Sequence, residues 1–145
     1  MRFYLNETAR AKGVQPLRAP KPGDAGYDIR SCEAMVIPPG EQALVPTGLH
    51  VAIPAGWVGL IKDRSSVAAA GIHTLGGVID ASYRGEIKVI LRNAGAQPFP
   101  IRVNDRIAHL VVVPCNVAEV EPVDELAGLG ATERNQAGFG STGRA

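Results

Sequence analysis

A chain of 145 residues has the size of one domain, which buries ~70% of its unfolded surface and folds without disulfide or metal staples. Seventeen glycines and eleven prolines exclude a helical bundle, and an apolar share of 46% excludes a disordered chain, so a turn-rich β protein is expected. Fifteen Lys and Arg against fourteen Asp and Glu leave a formal charge of +1, without the basic excess that duplex DNA or an anionic membrane demands; neither nucleic acid nor membrane is an expected partner.

Residues 1–13 hold no apolar run of the kind a secretory signal needs, so the sequon Asn6-Glu7-Thr8 carries no weight and a cytoplasmic protein is expected. Asp24-Ala25-Gly26-Tyr27-Asp28-Ile29 leaves a Pro/Gly loop and enters a strand. Its two carboxylates, four apart, read either as Asx-turn residues or as holders of a cation such as Mg²⁺, which takes one or two carboxylates and completes its shell with water and phosphate oxygens. Turn signals follow at Pro38-Pro39-Gly40, Pro46-Thr47-Gly48, Pro54-Ala55-Gly56, Gly76-Gly77, Asn93-Ala94-Gly95 and Pro98. Between them strands are expected over residues 34–37, 49–53, 57–62, 85–92 and 106–113, which makes the fold an all-β sandwich, barrel or jelly roll. Residues 42–61 run without Asp, Glu, Lys or Arg, but their prolines and glycines break any membrane helix. One helix is expected, over residues 66–70, closed by Gly71 and capped by Ser65 or Ser66. Residues 107–113 are apolar on both faces apart from His109, and residues 89–91 likewise, which implies cover on both sides and hence subunit contact. Cys32 and Cys115 stand in no CxxC or CxxH context and are expected as buried free thiols.

Three segments carry chemistry. In Lys62-Asp63-Arg64-Ser65-Ser66 a strand ends and a short helix begins, so hydroxyls, amides and an arginine fork converge in a phosphate site. Asp63 would repel phosphate, but in extended backbone its side chain points opposite to Arg64. The run from Gly71 to Gly85 reads as a hairpin whose outgoing strand presents Asp80 and then Tyr83. Asp80 is a candidate to activate water or accept a sugar hydroxyl, or else a strand-end cap; Tyr83 is either core packing or a ligand platform; His73 reads as a loop residue and His50 as a surface one. The glycine-rich end of the chain, Gly138-Phe139-Gly140-Ser141-Thr142-Gly143, has the parts of an anion nest with a stacking lid, and its other reading is a frayed terminus.

Ala25-Gly26-Tyr27-Asp28-Ile29, Arg64-Ser65-Ser66, Gly77-Val78-Ile79-Asp80 with Tyr83-Arg84-Gly85, Asp105-Arg106-Ile107-Ala108, and Arg134 with residues 138–143 together resemble the five ordered motifs of the trimeric dUTP pyrophosphatases, from about residue 20 to the end. The resemblance implies a distorted jelly-roll subunit over residues 1–131 and a C-terminal arm, 132–145, that closes a neighbouring subunit's site in a homotrimer. It implies hydrolysis of dUTP to dUMP and pyrophosphate with Mg²⁺, which keeps uracil out of DNA and supplies the thymidylate precursor. By motif position, Asp80 would orient or activate water and hold the deoxyribose, and Asp28, through water, would anchor the Mg²⁺ shell. Arg64, Ser65 and Ser66 would take phosphates, with Arg134, Gly140, Ser141 and Thr142 of the arm. Thr74, Gly77, Val78, Ile79 and the backbone at Lys88 would line the uracil slot, Tyr83 would lie under the sugar and exclude a 2′-hydroxyl, and Phe139 would stack over the base.

The chain departs from that family's pattern at His109, where Gln is usual, at Asn104, where Gly is usual, and at Asn135 and Ala137 in the arm. Asn tolerates the left-handed backbone that Gly serves. His109 reads either as a packed imidazole sharing a face with Ile107 and Val111 or as a group beside the triphosphate. Two alternatives are a dCTP deaminase-like enzyme, whose catalytic Glu would stand in the strand at 85–93, and a non-catalytic trimeric nucleotide-binding protein.

Overall fold

A computed structural model describes residues 1–132 of the chain. Among them the strands are β1 (Arg2–Leu5), β2 (Gly26–Arg30), β3 (Met35–Ile37), β4 (Gln42–Ala52), β5 (Trp57–Lys62), β6 (Ile72–Leu75), β7 (Val78–Ile79), β8 (Ile87–Asn93), β9 (Phe99–Ile101) and β10 (Arg106–Pro114). Two short helices, α1 (Glu7–Ala11) and α2 (Ser65–Ala68), and a 3₁₀ turn at Leu126–Leu129 complete the set. Two four-stranded sheets, ordered β1-β4-β8-β6 and β2-β10-β5-β7, face one another, with β3 and β9 paired at one end, and every pairing is antiparallel. This is the all-β, jelly-roll-like subunit expected. The core lies between the sheets and is built of Ile29, Val45, Ile61, Ile87, Leu91, Ile107 and Leu110 with their neighbours, each worth ~1.5–3 kcal/mol when fully buried. Among the described residues no helix is long and apolar enough to cross a membrane.

Several local expectations are corrected by contacts from distant residues. Pro46-Thr47-Gly48 does not reverse the chain: β4 runs through it as a bulge, with the register against β8 shifting between Pro46 and Leu49. The Glu86 carboxylate holds that bulge, its Oε1 accepting the Thr47 and Gly48 amides at 3.0 and 2.8 Å. Gly48 has φ +65°, and a side chain there would collide with Ala9. A second helix, α1, begins at Asn6, whose side chain accepts the Ala9 amide, so the supposed sequon is an N-cap. The N-cap of α2 is Arg64 rather than a serine, with no side-chain capping bond.

Strand β8 buries alternate residues only, from Ile87 to Asn93, so it is not covered on both faces within the subunit. In β10 a bulge between Arg106 and Ala108 lets Ile107 and Ala108 both face inward, after which alternation resumes with Leu110 buried. His109 therefore shares its face with Val111 and not with Ile107. Cys32 is buried, and burial pushes its thiol pKa up, but Cys115 is exposed. His73 lies on β6 and not in a loop. Asn104 takes φ +74°, the left-handed backbone its residue type allows, and its side chain accepts the Gln15 amide at 2.9 Å.

Candidate active site

The Gly76-Gly77 turn is not a hairpin in the pairing sense, because β6 pairs with β8 and β7 pairs with β5. It carries the chain from the edge of one sheet to the edge of the other. Gly77 is required there twice over: φ is +99°, and a Cβ would lie 2.6 Å from Ile61 Cβ. The Gly77 carbonyl accepts the Ile61 amide at 2.8 Å, which seats the turn on β5. As the edge strand of its sheet, β7 keeps an outer row of amides and carbonyls that no strand uses.

That edge opens on a cavity of about 590 Å³ lined by Gly77, Val78, Ile79, Asp80, Tyr83, Glu86, Ile87 and Lys88. Six expected site residues are thereby brought together. Asp80 is exposed at the end of β7, and its carbonyl accepts the Tyr83 amide at 3.1 Å, a turn that brings both residues to the same cavity. The Tyr83 hydroxyl donates to the Glu86 carbonyl at 2.9 Å, and the ring lies so close over Gly85 that any side chain there would overlap the phenol. Thr74 is set apart from this group. Its amide and hydroxyl both donate to Asp63 Oδ1, at 2.7 and 2.6 Å.

A second cavity, of about 770 Å³, shares no residue with the first. It gathers Arg18, Lys21, Arg30, Arg64, Arg106 and His109 around Asp24 and Asp28. Arg64 Nε donates to Asp28 Oδ1 at 2.8 Å, Arg106 Nη1 to Oδ2 at 3.3 Å, and His109 Nε2 lies 3.2 Å from Oδ1. Burial alone would raise the Asp28 pKa, but the Arg64 and Arg106 guanidinium groups override it and hold the carboxyl below its usual range. Burial, and then the proximity of Arg106, pushes the Arg30 pKa down. The arrangement is suited to a polyanion. Ser66 Oγ accepts from Arg64 Nη1 at 3.4 Å, and Ser65 is exposed beside it at the start of α2.

Sequence reasoning gave no site role to Arg106, Arg30 or Glu86. The first two were findable, since Arg30 stands two positions after Asp28 on one strand face and Arg106 lies within a quoted motif. Arg134, Phe139, Gly140, Ser141 and Thr142 lie outside the described residues.

Among the described residues no three His, Cys, Asp or Glu side chains group around a metal position. Asp28 nonetheless retains room for a water-mediated ion, because a carboxylate has about four acceptor directions and three are occupied by Arg64, Arg106 and His109. Direct coordination in this cationic surrounding does not fit; a hydrated ion accompanied by phosphates does.

The family model described as dUTPase matches residues 14–143. The deoxyuridine 5'-triphosphate nucleotidohydrolase of Mycobacterium marinum is 47% identical over 127 residues, covering 83% of this chain and 82% of that protein. The one from Anaeromyxobacter is 44% identical over 135 residues, covering 89% and 90%. Among solved structures, the Staphylococcus bacteriophage 80alpha dUTPase with dUPNHPP superposes with a TM-score of 0.85 at 29% identity, covering 98% of this chain and 97% of that one. The dUTPase of phage phi11, in which a structural Mg(II) ion is coordinated, superposes with a TM-score of 0.75 at 27% identity over 87% and 97% of the two chains.

Proposed function

The chain belongs to the dUTPase family, and from that membership we propose how its residues divide the hydrolysis of dUTP to dUMP and pyrophosphate. The observation that carries this division is the cavity joining the β7 edge to Asp80 and Tyr83. Uracil presents a donor between two acceptors, and cytosine alters that pattern at N3 and at the exocyclic position. A backbone edge placed against the base reads the difference without a charged side chain, and a buried mismatch leaves polar groups unpaired, worth ~10⁴-fold in sites of this kind. Gly77, Val78, Ile79 and the backbone at Lys88 do this reading. Tyr83 lies under the sugar, where its ring leaves no room for a 2′-hydroxyl. Asp80 accepts the 3′-hydroxyl or a proton from the attacking water.

Arg64, Ser65 and Ser66 hold the polyphosphate in the cationic cavity, with Arg106 and His109 beside them. Asp28 would hold a Mg²⁺ ion through water, and the ion would supply neutralisation of the phosphate charge.

The separation of the two cavities within one subunit supports a site assembled between subunits of a homotrimer, in which one copy offers its β7 edge and another its Asp28–Arg64 group. The exposure of Val117, Val120, Val123, Leu126 and Leu129 beyond β10 supports the same assembly, since so many bare apolar side chains call for a partner. Residues 132–145 form the arm that closes the site, with Arg134 and residues 140–142 on phosphate and Phe139 over the base; the family match reaching residue 143 supports the inclusion of this segment. A deaminase reading finds no support in Glu86, whose Oε1 accepts both the Thr47 and Gly48 amides and so holds the β4 bulge.

Pyrophosphate release from dUTP, measured beside dTTP, dCTP and UTP, tests the whole reading. Preference for dUTP over each of the others is expected; equal turnover of dCTP would overturn the assignment of the β7 edge, and equal turnover of UTP that of Tyr83. Deleting residues 132–145 is expected to remove most activity and leave the oligomer intact by sedimentation.

A further inference from the structure

Asp63 lines neither cavity. It is the first residue after β5 and the one before Arg64. Its carboxylate turns across to β6, where Oδ1 accepts the Thr74 amide and hydroxyl at 2.7 and 2.6 Å and Oδ2 meets His73 Nδ1 at 3.0 Å. Strands β5 and β6 belong to different sheets, so these contacts tie the sheets together where no backbone ladder does. They also satisfy an amide of β6, the edge strand of its sheet.

The tie reaches the base-side cavity through the chain beyond Thr74. Two residues on, the backbone turns at Gly76-Gly77 and becomes the edge that lines that cavity. Gly77 leaves no room for a side chain against Ile61, and its carbonyl accepts the Ile61 amide at 2.8 Å, so β5 and the residue after it hold this segment at both ends, at Thr74 through Asp63 and at Gly77 through Ile61. On the other side of Asp63, the very next side chain is the Arg64 that grips Asp28. In extended backbone, consecutive side chains point oppositely, which is why one short segment reaches both half-sites.

We propose, resting on the dUTPase reading above, that Asp63 is a positioning residue: by holding His73 and Thr74 it sets the placement of the base-reading edge at residues 77–79 relative to Arg64. It touches no substrate and acts through β6. Asp63→Asn keeps the shape and one acceptor but removes the charge that two donors and an imidazole share. Burial alone would raise the Asp63 pKa; the Thr74 bonds and then His73 override it and keep the carboxyl below its usual range, in keeping with a carboxylate tightly held as the anion.

The test uses the full-length protein, Asp63→Asn and His73→Gln, with amide hydrogen exchange and steady-state kinetics side by side. For Asp63→Asn, exchange over residues 72–79 is expected to speed by about tenfold, and KM for dUTP to rise by a similar factor, as the loss of charge-assisted hydrogen bonds implies. The preference for dUTP over dCTP should fall with it, while kcat stays within about twofold. His73→Gln should shift the same quantities in the same direction by less. Exchange and base preference both matching the parent protein would overturn the proposal. So would an equal loss of kcat for dUTP and dCTP accompanied by faster exchange throughout both sheets, since that is general destabilisation. A parent protein that releases no pyrophosphate from dUTP overturns the functional reading instead, and the exchange measurement still decides whether Asp63 holds the 72–79 segment.

Discussion

The base-side cavity and the phosphate-side cavity solve recognition by opposite means. The first is lined by a strand edge, two glycine-constrained turns and one aromatic ring, with the exposed Asp80 carboxylate beside a Glu86 whose Oε1 holds the β4 bulge. The second is lined by side chains and by charge: five Arg and Lys around two carboxylates, with His109 between. Backbone read-out depends on where the chain is placed, to within a few tenths of an ångström, and tolerates little sequence change only where sterics are closed, as at Gly77 and Gly85. Charge read-out depends on how many cations remain unpaired, and distance relaxes its demands. Damage to the first should therefore appear in discrimination or chemistry, and damage to the second in affinity and its salt dependence.

The largest expected effect separates chemistry from binding inside the base-side cavity. Asp80→Asn removes a base and leaves the shape nearly intact, so kcat should fall by about 10³-fold while dUTP still binds, measured by turnover beside calorimetric titration. Substantial residual turnover would break the assignment of the first cavity as the chemical one. Arg64→Ala strips the phosphate-side cavity of the cation nearest Asp28 and should lower kcat/KM by about 10²-fold, with the dUTP:dCTP preference unchanged. A changed base preference would show that the two cavities are not separable functions. Tyr83→Ala should lower the dUTP:UTP ratio of kcat/KM by about tenfold through the space opened under the sugar.

The smallest effect concerns acid stability. The pKa values of Asp28 and Asp63 both lie below the ordinary 3.8, despite burial that alone would raise them, because of Arg64 and Arg106 in one case and Thr74 and His73 in the other. A depressed carboxyl contributes stability that is full above 3.8 and is lost as pH falls through the folded-state value. Asp63→Asn should thus be less stable than the parent at pH 7 by no more than about 1 kcal/mol, given that the group is a third exposed, and the gap should be smaller at a pH below 3.8. Urea midpoints at the two pH values measure it.

Some of this was legible locally. Residues 57–62 form β5 with the bounds their turn signals imply, since Pro54-Ala55-Gly56 reverses the chain with the Trp57 amide on the Pro54 carbonyl. Asn104 adopts the backbone its residue type suggests. Other features were hidden because their cause lies far away in sequence. Pro46-Thr47-Gly48 looks like a turn until Glu86, 38 to 39 residues on, binds its two amides and keeps it in the strand. Helix α1, five residues long, is too short to show a periodicity, and Asn6 reveals itself as a cap only through its bond to Ala9.

By itself the sequence determined the β class, the family, and six of the residues that line the base-side cavity, because turn chemistry, alternation and ordered motifs are local properties. Tertiary structure alone decided that Gly76-Gly77 joins two sheets, that His109 turns to Asp28 and away from Ile107, and that Asp63 faces Thr74. Each of these depends on a strand register or a bulge, and a one-residue change of register moves a side chain to the opposite face; register is set by packing between distant segments, which no window of sequence contains.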